Sequence, residues 1–145
     1  MGLRLSHGCG EWSYHGFSMF RSALAHVAGL PPLWAMKGYF DPDEEIKTTL
    51  GNLRKMLPWL EKAPVAWEPY ENDVLTKFLK HSDCDGSLDA DACAPLADRI
   101  EALIPLLKKI DPRDFGGCDQ HHASAKQLVS GLRRAADKNE PVVFG

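Results

Sequence analysis

Apolar side chains recur at helical spacing in five stretches of the chain. Within each stretch they lie three or four residues apart, so they share one face of an α-helix. The stripes are Phe17, Phe20, Leu24 and Val27; Ile46, Leu50, Leu53 and Leu57; Val74, Leu75, Phe78 and Leu79; Leu96, Ile100, Leu103 and Leu107; and Ala125, Leu128, Leu132 and Ala135. The pattern predicts about five helices, with Ser18 near the start of the first and Asp41 capping the second.

The two ends of the chain have the pattern of short β-strands. Leu3, Arg4 and Leu5 alternate in polarity, and "EPVVFG" at 140–145 is rich in β-branched and aromatic residues. The glycine-rich stretch 7–16 between the first strand and the first helix is predicted to be a loop. We expect the two end strands to form a minimal sheet. The sequence therefore predicts a mainly helical α+β fold, in one globular domain over residues 1–145.

The stretch HSDCDG at 81–86 lies between two of the helical stripes, so we expect a helix–loop–helix over 74–107. Its spacing is typical of the calcium loop of an EF-hand, whose sixth position is glycine. With Gly86 at that position, the residues at ligand positions are His81, Asp83, Asp85, Ser87 and Asp89. Leu88 also fits the apolar eighth position.

Two positions of this loop do not fit calcium. His81 stands where the first oxygen ligand is expected, and Ala92 stands where a bidentate glutamate closes the site. Two interpretations follow. In one, HSDCDG is a structural turn whose aspartates cap backbone amides. In the other, it is a weak cation site that holds calcium.

Histidine and cysteine side chains allow an alternative function. A small metalloprotein or enzyme would use His7, Cys9, His81 and Cys84, which are zinc-ligand and nucleophile types. No paired C-x₂-C motif and no known catalytic motif occurs in the chain, so zinc is expected less than calcium, and a non-enzymatic protein more than an enzyme.

The segment "EWSYHGF" concentrates aromatic side chains near the N-terminus. Trp12, Tyr14 and Phe17 are of the kind that is enriched at the centres of protein interfaces. They are the candidate residues for binding a partner protein.

Charge and composition narrow the class of partner. The formal net charge is −3 and the basic residues are scattered, which does not favour nucleic-acid binding. No apolar run reaches the length of a membrane span, and the N-terminus lacks the apolar core of a signal peptide. Four cysteines in such a chain are expected as thiols in the cytoplasm.

Two stretches carry a resemblance to a protein family. "LRLSHGCGEWSYHGF" at 3–17 and "HSDCDGSL" at 81–88 resemble an uncharacterised family of small bacterial, largely actinobacterial, and phage proteins. In that family an acidic residue often stands where this chain has Ala92. The resemblance implies no activity, and residues 31–70 look like an inserted or divergent segment beside it. The expected function is a soluble, non-enzymatic interaction or regulatory protein, immunity-like or phage-related.

Overall fold

The structure, a computed structural model, describes residues 2–37, 65–116 and 120–145. Within those ranges the chain forms four α-helices and two small antiparallel sheets, which confirms the mainly helical α+β fold. The helices are α1 (Tyr14–Val27), α2 (Leu75–Leu79), α3 (Ala90–Leu107) and α4 (His121–Lys138). The strands are β1 (Gly2–Leu5), β2 (Gly10–Ser13), β3 (Ser87–Leu88) and β4 (Val142–Val143). The helix that the sequence predicts around 41–57 lies outside the described residues.

The core is built from the predicted apolar stripes. α3 and α4 are the most extensively packed pair among the described elements, and α1 packs across α3. The stripe residues of α3 and α4 are all buried, as are the three phenylalanines Phe17, Phe20 and Phe78. No helix in the described ranges has the length and apolarity that a membrane span requires.

Helix α1 begins earlier than the sequence predicted. Its first residue is Tyr14, and the Ser13 hydroxyl caps it by accepting a hydrogen bond of 2.9 Å from the Gly16 N–H. Ser18, the expected starting residue, lies inside the helix. Serine is a favoured cap at either position, so local sequence did not decide between them.

The chain ends do pair with each other, but this contact is smaller than each end's contact with a second strand. Leu5 and Phe144 form a β-bridge, and Arg4 and Gly145 exchange two N–H···O bonds of 2.8 and 3.0 Å. The longer ladders are β1 with β2 and β3 with β4, both antiparallel. The prediction that 7–16 is all loop was wrong, because a turn at 6–8 folds Gly10–Ser13 back onto β1.

The two flanks of the undescribed range 38–64 lie side by side. The Lys37 N–H donates to the Val65 carbonyl, the Val65 N–H donates to the Ala35 carbonyl, and both distances are 2.8 Å. The Trp67 indole also donates to the Lys37 carbonyl at 2.9 Å. All the residues joined here lie inside the range 31–70, so these contacts do not test the ends of that range. That 31–70 is an insertion stays a prediction.

Asp73 joins α2 to α3. Its carboxylate accepts from the Arg99 guanidinium through both oxygens, at 2.9 to 3.2 Å, and from the Leu75 N–H at 3.0 Å. Partial burial alone would raise the pKa of the Asp73 carboxyl, but the hydrogen bonds from Arg99 and Leu75 outweigh it and lower that pKa.

We expect Asp73→Asn to lower the free energy of unfolding by about 1–2 kcal/mol at neutral pH, because charge-assisted bonds are lost. The folded pKa is depressed, so this stabilisation is present above the unfolded value of about 3.9 and is lost as pH falls through the folded value. Denaturant titrations of both proteins across acidic pH should therefore converge. Glu11→Gln, which removes the exposed ion pair with Arg4, is the control and should change stability little. A difference for Asp73→Asn that persists in strong acid would contradict this assignment.

The turn between β1 and β2 packs directly on α4 at Gly131. A Cβ at this glycine would lie 2.6 Å from both the Cα and the Sγ of Cys9. In an open helix position, alanine is more stable than glycine by about 1 kcal/mol. At Gly131 the nearest atoms include the backbone of Cys9, which cannot swing away as the end of a flexible side chain can. The added methyl group therefore overpacks this contact, and the net effect of alanine is destabilising.

Gly131→Ala should therefore destabilise the protein by about 2 kcal/mol or more, measured as the shift of the urea midpoint. Ser130→Ala changes the adjacent, exposed position of α4 and serves as the control, with little effect expected. An unchanged or raised midpoint for Gly131→Ala would mean that Cys9 does not lie against this helix.

Candidate functional site

A buried arginine of α1 binds the backbone at the start of the HSDCDG turn. Arg21 donates from Nη1 to the carbonyls of Leu79, at 2.9 Å, and His81, at 2.8 Å. Its guanidinium also lies over the Phe17 ring, 4.4 Å from the ring centre. Arg21 thus fixes the point where the chain leaves α2 and enters the turn.

The His81 imidazole bridges the two ends of the turn. Nδ1 lies 2.9 Å from the Ser82 carbonyl, and Nε2 lies 3.0 Å from the Ser87 carbonyl. Carbonyls only accept, so each neutral tautomer makes one of these hydrogen bonds and the imidazolium makes both. The ring also stacks on Phe144, with centroids 3.8 Å apart and an interplanar angle of 19°.

Gly86 ties the same turn to the C-terminal segment. Its φ is +91°, a conformation that favours glycine, as its predicted place in the turn requires. Its carbonyl accepts from the Phe144 N–H at 2.9 Å. An added Cβ would meet the His81 ring at 3.2 Å. The turn is therefore closed by contacts that do not involve its aspartates.

The loop carboxylates take no part in capping. Asp83 is half-buried, Asp85 and Asp89 are exposed, and none of these three carboxylates makes a hydrogen bond or ion pair within the described part of the chain. Asp89 stands at the N-cap position of α3, but its side chain makes no capping hydrogen bond. The expectation that aspartate side chains cap amides of the turn was wrong for the described residues, where the Ser82 hydroxyl accepts from the Cys84 N–H at 3.3 Å.

The residues at the calcium-ligand positions are only partly arranged for an ion. Ser87 would offer its backbone carbonyl to calcium, but His81 Nε2 faces that carbonyl. Ala92 is buried in α3 and belongs to the core. A helix lies on each side of the loop, α2 before and α3 after. Calcium binding by His81, Asp83, Asp85, Ser87 and Asp89 stays a prediction.

The residues of the alternative function are dispersed. Among the described residues, no three His, Cys, Asp or Glu side chains are grouped so as to hold a metal ion. His7, Cys9, His81 and Cys84 therefore do not meet as a set. The fourth cysteine of the chain, Cys118, lies outside the described residues.

Cys9 is placed as a core residue and not as a nucleophile. Its side chain is fully buried. Burial, reinforced by the neighbouring Cys93 and opposed by Arg134, raises the pKa of the Cys9 thiol to about 12. Burial likewise raises the pKa of the Cys93 thiol. A thiol in this state is almost wholly protonated near neutral pH and reacts poorly.

His7 forms part of a tight turn that α4 holds in place. The residue is in the left-handed region, with φ +60°. Its carbonyl accepts from Arg134 Nε at 3.0 Å, and the next carbonyl, of Gly8, accepts from Gln127 at 3.3 Å. His7 Nε2 lies 4.0 Å from Glu140. These contacts hold the turn in a conformation that costs a non-glycine residue energy.

The predicted aromatic contact residues have different environments. Phe17 is fully buried and packs edge-on against Phe78, with centroids 5.5 Å apart. Trp12 is half-buried and stacks on Phe20 at 5.4 Å. Tyr14, at the first position of α1, is 38% exposed. Of the three, Tyr14 is the exposed one and Trp12 is partly accessible, whereas Phe17 is buried and contacts Trp12 with ring centroids 5.4 Å apart.

Sequence reasoning missed Arg21 and Phe144, which hold the turn. Arg21 is four residues after Phe17 and therefore lies on the apolar face of α1. A positively charged residue within a stripe of apolar residues was the signal in the sequence that could have identified Arg21. No local signal linked Phe144 to His81, which is 63 residues away (144 − 81).

Searches of protein-family models, curated proteins and solved structures found nothing that matches this chain. The resemblance to small bacterial and phage proteins therefore stays a prediction.

We expect one fast-reacting thiol in the folded Cys118→Ser protein, because Cys84 is exposed while Cys9 and Cys93 are buried. Reaction with a disulfide reagent near neutral pH, followed by absorbance, should show one thiol in buffer and all three in denaturant. Adding Cys84→Ser to this variant should remove the fast phase. Fast reaction of a second thiol in the folded protein would contradict the burial of Cys9 and Cys93.

We expect calcium, if added, to bind no more tightly than about 10⁻⁴ to 10⁻³ M, because His81 and Ala92 replace two oxygen-donor positions. His81→Asp should strengthen binding, since it supplies an oxygen ligand and frees the Ser87 carbonyl. Adding Asp85→Ala to His81→Asp should abolish the gain, and adding Asp91→Ala, outside the ligand positions, should preserve it.

Titration calorimetry of these proteins is the measurement. Ala92→Glu would supply the bidentate glutamate of the calcium loop, but it is less suitable as a test because it places a carboxylate at a buried position. Sub-micromolar binding by the natural chain, or no calcium heat from His81→Asp at millimolar ion, would contradict the proposed competition at Ser87.

Proposed function

We propose that this chain is a non-enzymatic protein that works by binding another protein, with its contact surface at the entry to α1. The observation that carries the proposal is an exposed aromatic side chain, Tyr14, two residues after a tryptophan that packs on the core. In keeping with the sequence resemblance, we assign it to the immunity-like or phage-related regulatory proteins. We place it in the cytoplasm on the basis of its thiols.

The surroundings of Tyr14 support a contact surface. Trp12 packs on both Phe17 and Phe20, with ring centroids 5.4 Å away in each case, so little side-chain freedom is lost when a partner covers it. The exposed Arg4–Glu11 ion pair points to the opposite face of the β1–β2 hairpin from Leu3 and Trp12, so it is not part of this surface. An aromatic residue with restricted side-chain freedom is typical of the centre of a protein interface.

The HSDCDG turn has a structural role in this proposal. His81, Gly86 and Phe144 close it with contacts that need no ion. A likeness to the EF-hand would consist of the flanking helices and the glycine at the sixth position. Any cation would be a weak addition to a turn that is already formed.

Cross-linking in cells of the source organism tests the proposal. A photo-activated amino acid in place of Tyr14 should capture a specific protein, whereas the same amino acid in place of Leu106 should not. Leu106 is a matched control, because it is 41% exposed and lies on α3. The captured protein would then be purified for affinity measurements.

Tyr14→Ala should weaken that affinity at least tenfold, as expected for a residue at the centre of an interface, and Leu106→Ala should leave it within about twofold. The same capture from both positions, or an unchanged affinity for Tyr14→Ala, would overturn the contact surface. A stoichiometric transition metal in the natively purified protein would overturn the non-enzymatic assignment in favour of the metalloprotein alternative.

A further inference from the structure

We draw no further inference here: the strongest candidate, the acidic surface that Asp83, Asp85, Asp89 and Asp91 form with the exposed Cys84 thiol on the HSDCDG loop and the first turn of α3, is a cluster of carboxylates beside a lone cysteine, and nothing in the described part of the chain points to a ligand for it.

Discussion

Phe144 connects the two ends of the chain to the HSDCDG turn, and the arrangement around the turn depends on these contacts. Its N–H donates to Gly86, its ring stacks on His81, and its backbone bridges to Leu5. On the core side the same ring meets Phe17 and Phe78 edge-on or tilted, at 6.4 and 6.5 Å. Phe144 therefore joins segments that are more than fifty residues apart in sequence, through both its backbone and its ring.

The side chains of Ser6 and His81 contact backbone groups at the outer edge of the β3–β4 sheet. Ser87 and Val143 face each other in the β3–β4 ladder, beside the pair that Gly86 and Phe144 form. Their outward polar groups are covered by side chains: the Val143 N–H donates to the Ser6 hydroxyl, and the Ser87 carbonyl faces His81. Unpaired strand edges are sites where another chain can add. These two contacts cover one backbone group of each residue at this edge.

Local pattern was enough to predict the four helices of the described residues and the two end strands, β1 and β4, but not the strands β2 and β3. Leu128 and Leu132 lie on one face of α4 because of spacing alone, and that face is buried in the structure. Strand β3 has two residues, too few to show alternation, and its partner Val142 is 54 residues further along the chain (142 − 88). The hydrogen bond from the Leu75 N–H to the Asp73 carboxylate is within reach of local reasoning, because it spans two residues. Arg21 at the base of the turn was not, since its acceptors are the carbonyls of a segment 58 and 60 residues away.

The difference between local and long-range contacts also explains why residue types alone allowed two interpretations of the HSDCDG loop. Spacing places ligand types along the loop, but the Ser87 carbonyl can face either an ion or the His81 ring. The His81 Nε2 atom lies 3.0 Å from that oxygen and the ring is stacked on Phe144, so an ion that used this carbonyl would compete with the ring for it. Asp83 is half-buried and Asp85 and Asp89 are exposed, and none of the three carboxylates has a hydrogen-bond or ion-pair partner in the described residues. The ring therefore joins the two ends of the turn without using these carboxylates.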